Sequence, residues 1–428
     1  MSSPSSLSGA RAQPAAGERD RAEIMRSRSA FWFYGLAFLG AHLGFMPLLM
    51  LLLPRRVEAV SIGDTGVFLS LLLLTGGVVA GLAHIASGAL SDWWVTRFGS
   101  RRGQIAIGAA LLFMAYLSLA VAHSQAALIA ALVFFQIALN CAFSPLGVLL
   151  ADYFPNEVKG RLSGLSNAAL PASVLLVAPI AWAFPQDDPL AFVVVGAAAV
   201  ACLLPLLLVW PLGTVTPKVT VAASDPPADR RLLPLDLALA WTSRLLVQTG
   251  AAFAFGYLYL FLAAKGIVPP AWDASAPSKI LAVLVAPAAI LAVIATLLGG
   301  AVSDLQGIRR LPTFGFACLF GIGLGLLAIA PQFYWFLIAY GLLQIGLSGF
   351  LSIETALVAQ LVGSSARRGL LLGVMNLSNT LPSIIAPSIA LLALAEQDIA
   401  DVLSTLFASF ALAAIVAGCL VLFIRRVR

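Results

Sequence analysis

The sequence predicts an all-α integral membrane protein, with twelve transmembrane helices arranged as two pseudo-symmetric six-helix bundles. The first observation is composition: the 428 residues are 61% apolar and only 10% charged. Soluble domains run at about 45–50% and about 25%, so this chain has too few charges to cover a water-facing surface. The second is that apolar runs of the ~20 residues a helix needs to cross the hydrocarbon layer recur from end to end. The third is a repeated polar signature between such runs. Gly88-Ala-Leu-Ser91-Asp92, followed by Gly99-Ser-Arg101-Arg102, returns as Gly300-Ala-Val-Ser303-Asp304, followed by Arg309-Arg310. The offsets, 303 − 91 = 212 and 309 − 101 = 208, are about half the chain. Such spacing marks duplication of a whole architecture.

Taken in order, residues 1–30 are polar and rich in Ser, Ala and Arg, with no apolar signal core, and read as a disordered cytoplasmic tail. The N-terminal bundle occupies 31–212, with spans expected at 31–53, 65–89, 104–122, 126–152, 162–184 and 189–212. Residues 213–235 are polar and proline-rich (Asp225-Pro-Pro-Ala-Asp229 among them) and form a cytoplasmic linker. The C-terminal bundle, 236–428, carries spans at 236–263, 279–301, 311–330, 333–361, 369–395 and 400–424. Pro145, Pro171, Pro287, Pro382 and Pro387 fall inside spans and are expected to bend them.

The net charge of +6 does not indicate nucleic acid, because the basic residues sit at segment ends rather than on a soluble module. Of the 25 Lys and Arg, only Arg55, Arg56, Lys265 and Lys279 fall on the side away from the termini, and Arg244 lies within a span. The excess of positive charge therefore places both termini in the cytoplasm. Cys141, Cys202, Cys318 and Cys419 lie far apart in apolar runs, so neither a metal site nor a disulfide framework is expected. No cofactor is implied. There is no phosphate-cradling glycine loop and no supported nucleophile constellation, so enzyme activity is not expected.

The duplication reaches further. Gln136, Asn140 and Ser144 lead to Lys159-Gly160-Arg161 and Leu165-Ser166-Asn167, and then to Pro171. Gln344, Ser348 and Ser352 lead likewise to Arg367-Arg368-Gly369, to Leu377-Ser378-Asn379 and to Pro382. A polar group in hydrocarbon needs a cavity or a partner, which makes these stripes the candidate substrate-facing groups, alongside interhelical hydrogen bonding as the other reading. Asn376, Asn379 and Ser383 form a further stripe. His42, in the middle of span one, can bind substrate or take a proton; His84 reads as structural. Arg244 and Gln248 lie one turn apart in span seven. Glu354, in span ten, is a carboxylate within the spans of the second half. Arg244 and Glu354 either form a switchable ion pair, or Arg244 binds an anionic substrate while Glu354 titrates.

At these residues the chain resembles the major facilitator superfamily. Ser91-Asp92 with Gly99 and Arg101-Arg102 is similar to that superfamily's loop signature after span two. The longer form, with Thr96-Arg97-Phe98-Gly99, is most similar to the glycoside–pentoside–hexuronide:cation symporters and the plant-type sucrose transporters. Gly369-Leu-Leu-Leu-Gly373-Val-Met-Asn376, continuing to Leu381-Pro382, is similar to the eleventh-span signature of the sucrose branch, and Tyr34-Gly35-Leu36 fits the same group. The resemblance implies a central cavity lined by spans one, four, seven and ten. It also implies gating by Asp92, Arg101 and Arg102 against Arg367 at the start of span eleven, and by Asp304, Arg309 and Arg310 against Arg161 at the start of span five. The chain departs from that branch in having no acid inside spans one to five, since Asp92 and Asp152 sit at span ends, which speaks against sodium coupling.

The function expected is secondary active transport of a small polar organic solute, sugar- or glycoside-like, coupled to protons and working by alternating access. Efflux of amphiphilic compounds, or a transport-inactive assembly or sensor protein of the same fold, are the alternatives. The expected partners are the lipid bilayer, a small-molecule substrate and protons, with no nucleic acid and a monomeric state. The leaning to Ala, Leu and Arg over Lys suggests a bacterial inner membrane.

Overall fold

A computed structural model describes residues 28–153, 156–209, 233–269, 272, 277–362, 368–394 and 398–425. Residues 1–27 of the expected tail and 213–232 of the expected linker lie outside them.

Among the described residues, eleven helices are long and apolar enough to cross a membrane. The missing one is span eleven, which is split into Arg368–Thr380 and Pro382–Ala393. The unbroken spans are span two (Thr65–Phe98), span three (Arg102–Ala120), span four (Gln125–Tyr153) and span six (Pro189–Val209). In the second half they are span seven (Leu233–Lys265), span eight (Pro277–Gln306), span nine (Arg310–Ile329), span ten (Phe333–Val362) and span twelve (Ile399–Leu422).

Spans one, five and eleven are interrupted, and prolines explain where. A proline lacks the N–H that would bond to the carbonyl four residues back, and its ring crowds that carbonyl. Span one runs Arg28–Leu43, stopping four residues before Pro47, and resumes as a π-helix, Leu48–Leu52, and then Leu53–Val60. Span five runs Asn156–Val174 and restarts at Val177–Ala183, turning at the residue four before Pro179. Span eleven breaks at Leu381, directly before Pro382.

The repeated signature begins in the last turns of span two and runs into the short bend that follows, Gly99 to Arg101. The helix carries Ser91 and Asp92 and ends at Phe98, where Gly99 adopts a left-handed φ of 71°. Gly307 does the same after span eight, with φ 64°, and 307 − 99 = 208, the offset of the arginines. Only glycine takes that conformation at no steric cost, and it ends the helix sharply enough to fold the arginines back.

Packing repeats with the sequence. Span one packs on five and six, three on four and six, and two on four; span seven packs on eleven and twelve, nine on ten and twelve, and eight on ten. The halves meet through span two against eleven and span eight against five, contacts that a two-fold axis exchanges. The buried apolar core divides unevenly. Toward the face opposite the termini, one continuous core unites both halves, from Leu51, Val57 and Phe68 to Tyr257, Phe261 and Leu281. Toward the termini face there are two separate cores, one around Tyr34, Ile105 and Leu146 and one around Ala240, Leu357 and Val421. Among the described residues, the apolar core is shared by the halves at one end and divided between them at the other.

Candidate functional site

Hydrogen bonds between described residues join the halves toward the fused end. Tyr257 donates to Ser70 Oγ at 2.7 Å, Tyr259 to Glu58 Oε2 at 2.9 Å, and Ser278 to the Pro185 carbonyl at 3.1 Å. Trp182 and Trp272 meet edge to face at 5.8 Å. Beside span two, a Cβ on Gly77 would collide with the Ser383 carbonyl of span eleven, so glycine is what lets these backbones touch.

Arg55 and Arg56, expected in an outer loop, are instead buried in the last helix of span one. Arg56 pairs with Asp187 at 2.8 Å, donates to the carbonyls of Ala120 and Ala122 at 3.2 Å each, and lies 4.9 Å over the Phe192 ring. Arg55 donates to the Phe184 carbonyl at 2.6 Å and the Gln186 carbonyl at 3.2 Å. Carbonyls at and just past the ends of spans three and five have no helical partner, and the guanidinium groups satisfy them. Burial raises the Asp187 carboxyl above its usual range, outweighing the opposing pull of Arg56.

Under this seal lies a cavity of about 470 Å³. Phe45, Met46, Leu49, Phe135, Leu139 and Phe143 make an apolar wall. The first half also contributes His42, His84, Gln136 and Asn140, and the second contributes Gln248, Asn376, Asn379, Thr380 and Ser383. Asn140 donates through Nδ2 to the Gln136 carbonyl at 2.9 Å, and its Oδ1 lies 3.2 Å from His84 Nδ1. Behind it, Gln104 bonds Ser87 at 3.0 Å and Ser87 bonds the Asn140 carbonyl at 2.8 Å. Across the cavity, Asn379 Oδ1 accepts from Arg244 Nε at 2.8 Å and from Gln248 Nε2 at 3.2 Å, while Asn379 Nδ2 donates to Asn376 Oδ1 at 3.0 Å. Arg244 also donates to Glu354 Oε2 at 2.6 Å, and Glu354 is buried with Oε1 unpartnered.

Of the substrate candidates read from the sequence, His42, Gln136, Asn140, Gln248, Asn376 and Asn379 line this cavity, whereas Ser144, Arg244, Gln344 and Ser348 do not. Spans one, two, four, seven and eleven supply nearly all of the wall; span ten packs against seven and eleven and contributes none of the described lining. Gln344 is buried with Oε1 unpartnered. Ser144 faces Gly88 of span two, where a Cβ would lie 3.8 Å from its Oγ, and Ser352 faces Gly300 at 2.9 Å in the same way. These hydroxyls fill the space that the signature glycines leave. His84, read as structural, is on the wall, and His42 stands edge-on to Phe143 at 5.5 Å.

At the termini face Asp92 is 76% exposed and pairs with Arg101 of its own half at 3.2 Å, while Arg101 also bonds Ser91. The Asp92–Arg101 pair thus braces this end of span two. Arg310 donates to the carbonyls of Leu422 and Ile424, capping span twelve. Arg309 precedes span nine, and Arg102 starts span three. Arg367 and the side chains of Arg161 and Asp304 lie outside the described residues.

A sequence model of the Major Facilitator Superfamily matches residues 75–387. The chain belongs to the Major Facilitator Superfamily. It is a membrane-embedded transporter of a small solute. Its fold is similar to that of a bacterial homolog of the human lysosomal transporter Spinster in an inward-facing, occupied conformation (TM-score 0.68, 15% identity, 95% of this chain and 98% of the other covered). The inward-facing, unoccupied form of that homolog matches at TM-score 0.61 and 15% identity, covering 94% and 95%. A mutant peptide transporter, POT, in complex with alafosfalin matches at 0.69 and 12%, covering 96% and 98%. At these identities the likeness is one of fold alone. Among curated proteins, none matches the chain in sequence.

Proposed function

We propose that this transporter carries an uncharged, glycoside-like solute, polar at one end and apolar at the other, by alternating access in step with a proton. The observation that carries this reading is the cavity's composition. Two polar clusters, one from each half, share a chamber with an aromatic and aliphatic wall, and no Asp, Glu, Lys or Arg is among its described lining residues. A charged solute would enter without a counter-charge, at a desolvation cost of several kcal/mol. An apolar aglycone and a hydroxylated ring have matching surfaces.

The Lys and Arg distribution makes the termini face cytoplasmic, so the parted end opens inward. Asp92, Arg101 and Arg102 with Arg367, and Asp304, Arg309 and Arg310 with Arg161, then close the cytoplasmic side when the halves rock. Glu354 carries the proton and Arg244 is its counter-charge. Protonating Glu354 removes the charge that holds Arg244, and Arg244 holds Asn379 on the cavity wall, so proton and solute share one chain of contacts. The protein works as a monomer in a bacterial inner membrane. Efflux of an amphiphile is the second reading, favoured by the apolar wall.

Proteoliposomes supplied with a panel of alkyl and aryl glycosides test this. Uptake is expected to rise with an imposed pH gradient, and Glu354→Gln is expected to abolish that rise. Flux indifferent to the gradient removes the coupling. A panel in which no glycoside is carried removes the substrate class, and expulsion of lipophilic dyes in its place establishes the second reading.

A further inference from the structure

We infer that His84 and Asn376 orient the solute with opposite, fixed polarity: His84 accepts a hydrogen bond through Nε2, and Asn376 donates one through Nδ2. The part that concerns the solute rests on the reading of an uncharged glycoside-like substrate. The polarity itself rests on bonding geometry.

On the first half, the starting point is a backbone carbonyl, which can only accept. The Gln136 carbonyl lies 2.9 Å from the Asn140 side-chain amide, so the amide nitrogen must face it. Asn140 therefore turns its oxygen to His84, 3.2 Å from Nδ1. An amide oxygen also only accepts, so Nδ1 must carry the proton. A neutral imidazole has one N–H and one bare nitrogen, which leaves Nε2 as an acceptor on a ring that lines the cavity. Asn140 is thus the positioning residue and His84 the group that meets the solute.

On the second half, the chain of bonds starts from Arg244, whose guanidinium can only donate. Its Nε–H fixes the oxygen of Asn379, and Gln248 Nε2 uses that oxygen's second lone pair. Asn379 then presents its nitrogen to Asn376 and so fixes the Asn376 oxygen. The groups left over are the Asn376 amide nitrogen, a donor, and the Gln248 oxygen, an acceptor, both on lining residues. The matching solute offers an O–H or N–H toward span two and an oxygen toward span eleven.

The deciding measurement needs no solute. Nitrogen-15 solid-state NMR of histidine-labelled protein in liposomes, in mildly alkaline buffer, separates the two imidazole tautomers. The chain has three histidines, so single His42→Phe, His84→Phe and His123→Phe variants assign the signals. His84 is expected as the Nδ1–H tautomer, reverting to Nε2–H in Asn140→Leu. An Nε2–H tautomer at His84 in the unaltered protein overturns the inference. Binding of phenyl β-D-glucoside and its tetra-O-methyl ether tests the solute side. His84→Phe is expected to weaken the glucoside about tenfold, the scale of one hydrogen bond, and to leave the ether unchanged. Equal weakening of both, or of neither, overturns His84's role. Failure of the unaltered protein to bind either compound removes the glycoside reading, while the tautomer still decides the polarity.

Discussion

The two ends of the molecule are held by different physics. At the fused end, buried Arg56 is paired with Asp187, carbonyls are capped, tyrosines bridge the halves and one apolar core runs through both. At the termini end, Asp92 pairs with Arg101 of its own half, and among the described residues the apolar cores stand apart. The described contacts between the halves are therefore densest where the sequence looks ordinary, while Asp92 and Ser91 of the conspicuous signature tie Arg101 to the end of span two.

Arg56→Ala should do the most damage to that contrast. It strips Asp187, the carbonyls of Ala120 and Ala122 and the Phe192 face of their shared partner, and should cost about 3–5 kcal/mol, as breaking a buried ion pair does. Thermal unfolding in micelles reads this directly. Asp187→Asn is the milder cut, at about 1–3 kcal/mol near neutrality, since one charged partner is removed. Its penalty should grow as pH falls. Because burial raises the Asp187 carboxyl, the folded state takes up a proton before the unfolded one, and the unaltered protein gains a stability on acidification that the Asn variant lacks.

Gly77→Val probes the backbone contact itself. The added side chain cannot pass the Ser383 carbonyl, and overpacking should cost about 1–3 kcal/mol. Electron–electron distance measurements between spin labels at positions 62 and 332 should show the fused face widened. Tyr259→Phe removes one bond between the halves. At about 1 kcal/mol it should shift the balance of conformations roughly fivefold, read by the same distance. Asp92→Asn should be the smallest, at about 0–1 kcal/mol, because the carboxylate is mostly in solvent. A larger loss of stability there would show that the termini end is braced as firmly as the other.

Much of this was legible in the sequence. Hydropathy located the spans, and the repeat announced two halves. The rule that buried polar groups need partners singled out Gln136, Asn140, Asn376, Asn379 and the Arg244–Glu354 pair, which do come together. The failures have physical causes. An apolar run taken to end at 89 sets His84 close to the end of span two; the helix runs on to Phe98, which moves position 84 inward. Ser144 was placed on the face of Gln136, but eight residues of helix overshoot two full turns by roughly 80°, enough to turn it toward Gly88. Arg55 and Arg56 looked like loop charges because most of their partners are main-chain carbonyls, which leave no mark in a sequence. The Asp187 that Arg56 grips is 131 positions away.

The break at Leu381 divides span eleven into pieces with separate duties. The piece beyond it is bolted to span two at Gly77; the piece before it bears Asn376 and Asn379 and only lightly touches span two. One helix thereby carries two loads across an elbow, its asparagines tied to span seven on one side and its backbone pressed against span two on the other.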